Sequence, residues 1–158
     1  MKALVFREFG GPEVLHVEDL PDPVPAEGEV LVETRAIGLN FADVYRRKGH
    51  YHLAGHPPYI AGYEAAGVVA ATGHGFSRGD RVAFADSPFA NAERVAVPAA
   101  KLIPLPGDIG FETAAALLLQ GLTAQYLVRD SHPLAAGETV LVHAAAGGVS
   151  LLLTQLAV

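Results

Sequence analysis

The segment Thr139–Val158, reading TVLVHAAAGGVSLLLTQLAV, constrains this chain more than any other. Thr139–Val142 is a short β-branched and apolar run that follows Gly137, a pattern suited to a buried strand. Ala144–Ser150 is a run of small residues with a Gly-Gly pair, and Leu151–Ala157 is apolar enough for the first turns of a buried helix. Strand, glycine turn and helix form the opening unit of a dinucleotide-binding α/β domain. Glycine matters in such a turn because amides at the helix N-terminus must approach a pyrophosphate with no Cβ in the way. Against the full G-x-G-x-x-G pattern the three positions are filled by Ala145, Gly147 and Ser150, so one glycine remains and the motif alone is weak. Such a domain also needs several further strands and helices, with a ribose-reading residue about 20 positions on. The sequence stops at Val158, so the expectation is a nucleotide-binding domain that has only begun.

Upstream of this segment the pattern is different. Lys2–Phe9 alternates apolar and polar residues as a strand does, Gly10-Gly11-Pro12 reads as a turn, and Val14–Leu20 as a second strand. Pro21, Pro23 and Pro25 hold the chain extended and supply no ladder donors. Glu29–Gly38 is the clearest strand, with Val30, Val32 and Ile37 as core candidates. Phe41–Lys48 has basic residues in its last turn and Gly49 behind it, which predicts a short helix. Gly49–Gly62 is read as an irregular loop. Ala65–Ala71, Arg81–Ala85, Glu93–Val97 and Lys101–Leu105 continue a series of short strands, with a tight turn at Ser77–Asp80. Six or seven short strands with turns every ten residues or so suggest a β-barrel or sandwich.

From Phe111 the periodicity becomes helical, with Ala115, Leu118, Leu119, Leu122 and Tyr126 recurring at helix spacing as far as Arg129. Gly121 in the middle predicts two helices or one broken helix. Asp130–Glu138 reads as a linker. The predicted fold class is therefore mainly β with an α/β start, in two domains with the second incomplete.

Composition narrows the function classes. A net charge of −6, with Arg46-Arg47-Lys48 as the only basic run, argues against a nucleic-acid surface. That run reads as a solvated helix end. With no cysteine, disulfides, thiolate metal ligands and cysteine nucleophiles are excluded. This usage agrees with a cytoplasmic protein, and MKALVFREFGG carries no signal-peptide core. The uncharged tail from Thr139 approaches bilayer length, but His143, Gly147-Gly148, Thr154 and Gln155 interrupt it, so no membrane span is expected.

Several motifs then line up in order: Ala36–Asp43 (AIGLNFAD), Pro57–Glu64 (PPYIAGYE), Gly79–Val82 (GDRV), Leu119–Ala124 (LQGLTA) and Val142–Val149 (VHAAAGGV). Together they resemble the zinc-independent, NADPH-using quinone oxidoreductases of the medium-chain dehydrogenase/reductase superfamily, over essentially the whole chain. The resemblance implies a GroES-like β-barrel over residues 1–130, followed by the first βα unit of a Rossmann fold over residues 131–158. It implies NADPH as cofactor and one- or two-electron reduction of a quinone, an enone or a similar small electrophile. The intact protein would be a homodimer about twice this length, with no nucleic-acid or membrane partner. The family turn carries Ala-x-x-Gly-x-x-Gly, and here the three positions are Ala144, Gly147 and Ser150.

The same resemblance assigns cofactor contacts to Asn40, Phe41, Asp43, Tyr45 and Thr123, and pyrophosphate contacts to Gly147, Gly148, Val149 and Ser150. Asn40, Tyr45 and Tyr51 are the candidates for the substrate cleft; no residue is assigned to acid–base or nucleophilic catalysis, because the cofactor carries the hydride. Read from the residues alone, Asn40 is equally a helix cap. Tyr45 and Tyr51 could be half-buried core tyrosines, and Thr123 a helix threonine bonding its own backbone. Zinc alcohol dehydrogenases carry a ligand cysteine where Asn40 stands and a ligand histidine where Tyr63 stands, so no zinc is expected. Glu64 remains from that constellation and is read as a buried structural carboxylate. His50, His52 and His56 form H-x-H-x-x-x-H, read as exposed loop histidines without a fourth ligand. Two further readings stay open: a non-enzymatic GroES-like barrel acting as a binding module, and an enoyl reductase of the same superfamily.

Overall fold

The computed structural model describes residues 1–158, and the chain divides into two compact units, Met1–Ala116 and Leu117–Val158.

In the first unit, β1 (Lys2–Phe6) turns Ala3 and Val5 into the core, and Phe6 is buried beside them. A short 3-10 turn at Pro12–Val14 leads to β2 (His16–Asp19), which pairs antiparallel with β1 in the register Lys2↔Asp19 to Val5↔His16. The long strand β3 (Glu29–Ile37) buries Val30 and Val32 on one face. A bulge between Thr34 and Ala36 shifts its register as it approaches the helix α1 (Phe41–Arg47). After the loop come β4 (Tyr59–Ile60) and β5 (Glu64–Val69), the latter almost wholly buried and correspondingly rich in small apolar residues. β6 (Arg81–Ala85), β7 (Arg94–Pro98) and the two-residue β8 (Ile103–Pro104) complete the strands.

Every pairing is antiparallel. One sheet has the order β2-β1-β4 and the other β7-β3-β5-β6-β8. Val5, Val32, Val69, Val82, Phe84, Val95 and Val97 form one continuous core cluster between them. The expected barrel is thus an open pair of sheets. Closure requires a full ladder between the sheets, and here they are joined outside the named strands by the single bridge Ala3↔Ala92 and by backbone bonds from Ala90 and Asn91 to the carbonyls of Gly62 and Ala61. The end strands β4 and β8 are too short to carry more.

The helix α2 (Phe111–Tyr126) runs unbroken through Gly121 and ends in one π-type turn, Leu127–Ser131. The expected break is absent because a lone glycine costs a helix only about 1 kcal/mol, less than its neighbours supply. Within the second unit, Ala124 and Val128 are buried and α3 (Gly148–Leu156) forms where a helix was expected. Thr139–Val142, however, is not a strand. No other segment of the chain pairs with it, and an extended run without ladder partners has nowhere to place its amides and carbonyls. No helix is long and apolar enough to cross a membrane.

Candidate functional site

The first unit gathers its polar chemistry where β3 passes into α1. Asn40 sits at the N-cap with extended backbone, and Asp43 at the third helical position accepts the Asn40 backbone N–H at 3.0 Å through Oδ2. A carboxylate in the first turn also suits the positive end of the helix. The other Asp43 oxygen, Oδ1, accepts from Arg46 Nη1 at 3.0 Å, so one side chain fixes both the start of the helix and its buried cation. The Asn40 side-chain amide reaches across 24 residues and donates Nδ2 to Glu64 Oε2 at 2.7 Å. Glu64 is 1% exposed, at the start of β5. Gly38 is required beside it, since a Cβ there would run into the Glu64 carboxylate and the Ala115 carbonyl.

Phe41 and Tyr45 lie four residues apart on α1, both exposed, with rings edge to face at 5.1 Å between centroids. Tyr51 is half exposed and follows the helix in the loop. Its ring faces the Arg46 guanidinium, with Cζ 5.0 Å from the ring centroid, while Tyr63 lies under the same cation at 3.5 Å. The expectation for Arg46 is corrected here. It is not a solvated helix end but 5% exposed, held by the i,i+3 carboxylate of Asp43 and by two tyrosine faces, with its Nε left without a hydrogen-bond partner. The Asp43–Arg46 spacing and the aromatics at 51 and 63 were the available signal. On the inner side of α1, Asn40, Asp43, Arg46 and Leu53 help line a cavity of about 290 Å³.

The candidates therefore fall into two groups. Asn40, Phe41, Asp43, Tyr45 and Tyr51 come together in the first unit; Thr123 and Gly147–Ser150 belong to the second. Thr123 is exposed, and its hydroxyl donates to the Leu119 carbonyl one turn back at 2.8 Å. Gly147 caps α3 with extended backbone, and no side chain occupies the cap. The Ser150 hydroxyl donates to the His143 carbonyl at 3.1 Å, which ties the helix to its turn. A Cβ at Gly148 would meet the side-chain amide of Gln120, which would have to swing aside. A nine-residue helix with an uncapped, glycine-lined N-terminus fits an anionic pyrophosphate held by backbone amides. His50, His52 and His56 are all exposed, and no group of three or more His, Asp or Glu side chains is placed to hold a metal ion.

Residues 26–136 match the model of the alcohol dehydrogenase GroES-like domain. The chain belongs to this family. The GroES-like chain is 48% identical over 158 residues to a quinone oxidoreductase of Pseudomonas aeruginosa, covering 98% of the chain and 48% of that protein. The crystal structure of Pseudomonas syringae pv. tomato quinone oxidoreductase superposes with a TM-score of 0.94 at 44% identity, over 99% of the GroES-like chain and 49% of its own. Escherichia coli quinone oxidoreductase complexed with NADPH gives a TM-score of 0.94 at 42% identity, over 99% and 49% respectively. The GroES-like chain thus spans about half the length of the curated relatives it matches.

Proposed function

We propose that this chain supplies the substrate side of an NADPH-dependent quinone reductase. Residues 1–130 would form the GroES-like domain and 131–158 the start of the nucleotide-binding domain. The observation that carries the reading is the corner of Asn40, Phe41, Asp43, Tyr45 and Tyr51. There, exposed aromatic faces stand beside a hydrogen-bonded polar helix start, within a segment similar throughout to a quinone oxidoreductase solved with NADPH. When bound, NADPH supplies the hydride. The chain's own residues bind and orient. Tyr45 and Tyr51 offer flat apolar faces to a ring and hydroxyls able to donate to a carbonyl oxygen. Asn40, locked to Glu64, presents a fixed amide at the same edge. The amides of Gly147, Gly148, Val149 and Ser150 hold pyrophosphate, and Thr123 adds a contact to the cofactor. No metal takes part in this reading. A quinone is the preferred electrophile, the intact protein would be a cytoplasmic homodimer, and neither nucleic acid nor membrane is a partner.

The test is calorimetric titration of NADPH into the purified protein, with its intact mass measured in parallel and quinone-dependent NADPH oxidation followed by absorbance. Saturable binding together with oxidation supports the reading. A protein of this mass that neither binds NADPH nor oxidises it sinks the enzyme for this chain and leaves a GroES-like binding module.

A further inference from the structure

We infer that Arg46 is the positioning residue of the proposed cleft, a buried cation whose task is to hold the ring of Tyr51. Four contacts define it. Its Nη1 donates to Asp43 at 3.0 Å, its guanidinium lies 3.5 Å from the Tyr63 ring centroid and 5.0 Å from that of Tyr51, and Nη2 stands 3.5 Å from His52 Nε2. A cation 5% exposed is costly unless its surroundings replace water, and this planar guanidinium is compensated in part, by stacking on rings and bonding at its outer nitrogens while Nε has no partner.

The contacts close a circuit. Asn40 donates to Glu64; Glu64 follows Tyr63 in the chain; Tyr63 carries Arg46 on its ring; Arg46 bonds Asp43; and Asp43 accepts from the Asn40 backbone. Tyr51 stands outside this ring and meets it through Arg46 and through the adjoining His52, whose ring lies 4.3 Å from that of Tyr51. The Tyr63 hydroxyl also accepts the Ala54 backbone N–H at 3.1 Å, so Tyr63 anchors the far side of the same loop. Backbone bonds from Gly49 to the Arg46 carbonyl and from His50 to the Tyr45 carbonyl fix the start of the loop on α1, and the Arg46 side chain sets the ring of Tyr51 against that of Tyr63. A lysine would keep the charge but lose the plane that contacts two rings at once.

The consequence for ligand binding rests on the function proposed above; the position of Tyr51 does not. Labelling with 3-fluorotyrosine gives one 19F signal for each of the five tyrosines, assigned by single Tyr→Phe substitutions. In folded Arg46→Lys and Arg46→Met, the Tyr51 and Tyr63 signals should move, Tyr51 toward its position in the unfolded chain, while Tyr59 and Tyr126 stay in place. A role confined to stability would lower the unfolding temperature and leave the Tyr51 signal unmoved, and that result overturns the inference. Should neither Arg46 variant fold, Tyr63→Leu removes the nearer ring with Arg46 intact and must move Tyr51 in the same direction; an unmoved signal again overturns it. Titration with NADPH adds the functional arm: the midpoint read at Tyr51 should rise about tenfold in Arg46→Lys, equivalent to about 1.4 kcal/mol. If NADPH leaves the parent spectrum unchanged, the proposed function fails, while the ligand-free spectra still decide the role of Arg46.

Discussion

Asn40 and Glu64, 24 residues apart in sequence, are joined by a 2.7 Å hydrogen bond in which the asparagine amide donates to a carboxylate that is 1% exposed. This bond fastens the start of α1 to the start of β5, and the polar corner of the first unit is built around it. A buried carboxylate is stable only while its donors remain, so the pair behaves as a unit.

Replacing Glu64 by Leu leaves the Asn40 amide without its acceptor and should destabilise the protein by about 1–3 kcal/mol. Asn40→Ala should do likewise, and the double variant should cost less than the sum of the two. Urea unfolding of the three variants measures the coupling. Strict additivity would mean that the bond does not form in solution.

Gly38 is set by the same carboxylate. A methyl group there would press on Glu64 and on the Ala115 carbonyl, backbone that cannot swing aside. Gly38→Ala should therefore cost about 1–3 kcal/mol, the usual range for overpacking. A thermal midpoint equal to the parent's would contradict this.

Gly121 predicts the opposite sign. It lies inside the continuous helix α2, and a Cβ there meets nothing within 4 Å. Gly121→Ala should stabilise the chain by about 0.5–1 kcal/mol by restricting the unfolded state and improving helix propensity. Chemical denaturation at equal m-value reads the gain, and a loss of stability would show that α2 does break at this point.

Acid should loosen the clasp in which Asp22 holds both the Met1 ammonium and Arg94 of β7. The hydrogen bond from the Met1 ammonium holds the Asp22 carboxyl below its ordinary range; partial burial opposes the shift, and the Arg94 guanidinium adds to it. A depressed folded value means that this carboxylate contributes stability above the ordinary carboxylate range of about 3.9, lost as the pH falls through the folded value. Unfolding midpoints taken from pH 7 down to pH 3 should fall less steeply for Asp22→Asn than for the parent. Parallel curves would remove Asp22 from the acid response.

The strands of the first unit were legible because their information is local. Arg81–Ala85 has the predicted limits, Glu29–Ile37 ends one residue early, and Asn40 stands where a cap residue belongs before Phe41. In each case apolar alternation or capping chemistry is written within a few neighbouring residues. Tertiary structure decided the rest. Thr139–Val142 has the composition of a strand but no partner, and strand formation is a property of two segments. The sheets stay open although strand number suggested a barrel, because closure depends on long-range ladders between strand ends. At the site, Asn40, Phe41, Asp43, Tyr45 and Tyr51 are candidates through the family resemblance, whereas the burial of Arg46 is not written in its neighbours. Its basic neighbours suggest solvent, but two rings from outside the helix, Tyr51 and Tyr63, remove it from water. Composition and period determine which segments become regular; which charges can be buried is decided only when the fold brings distant partners within a few ångströms.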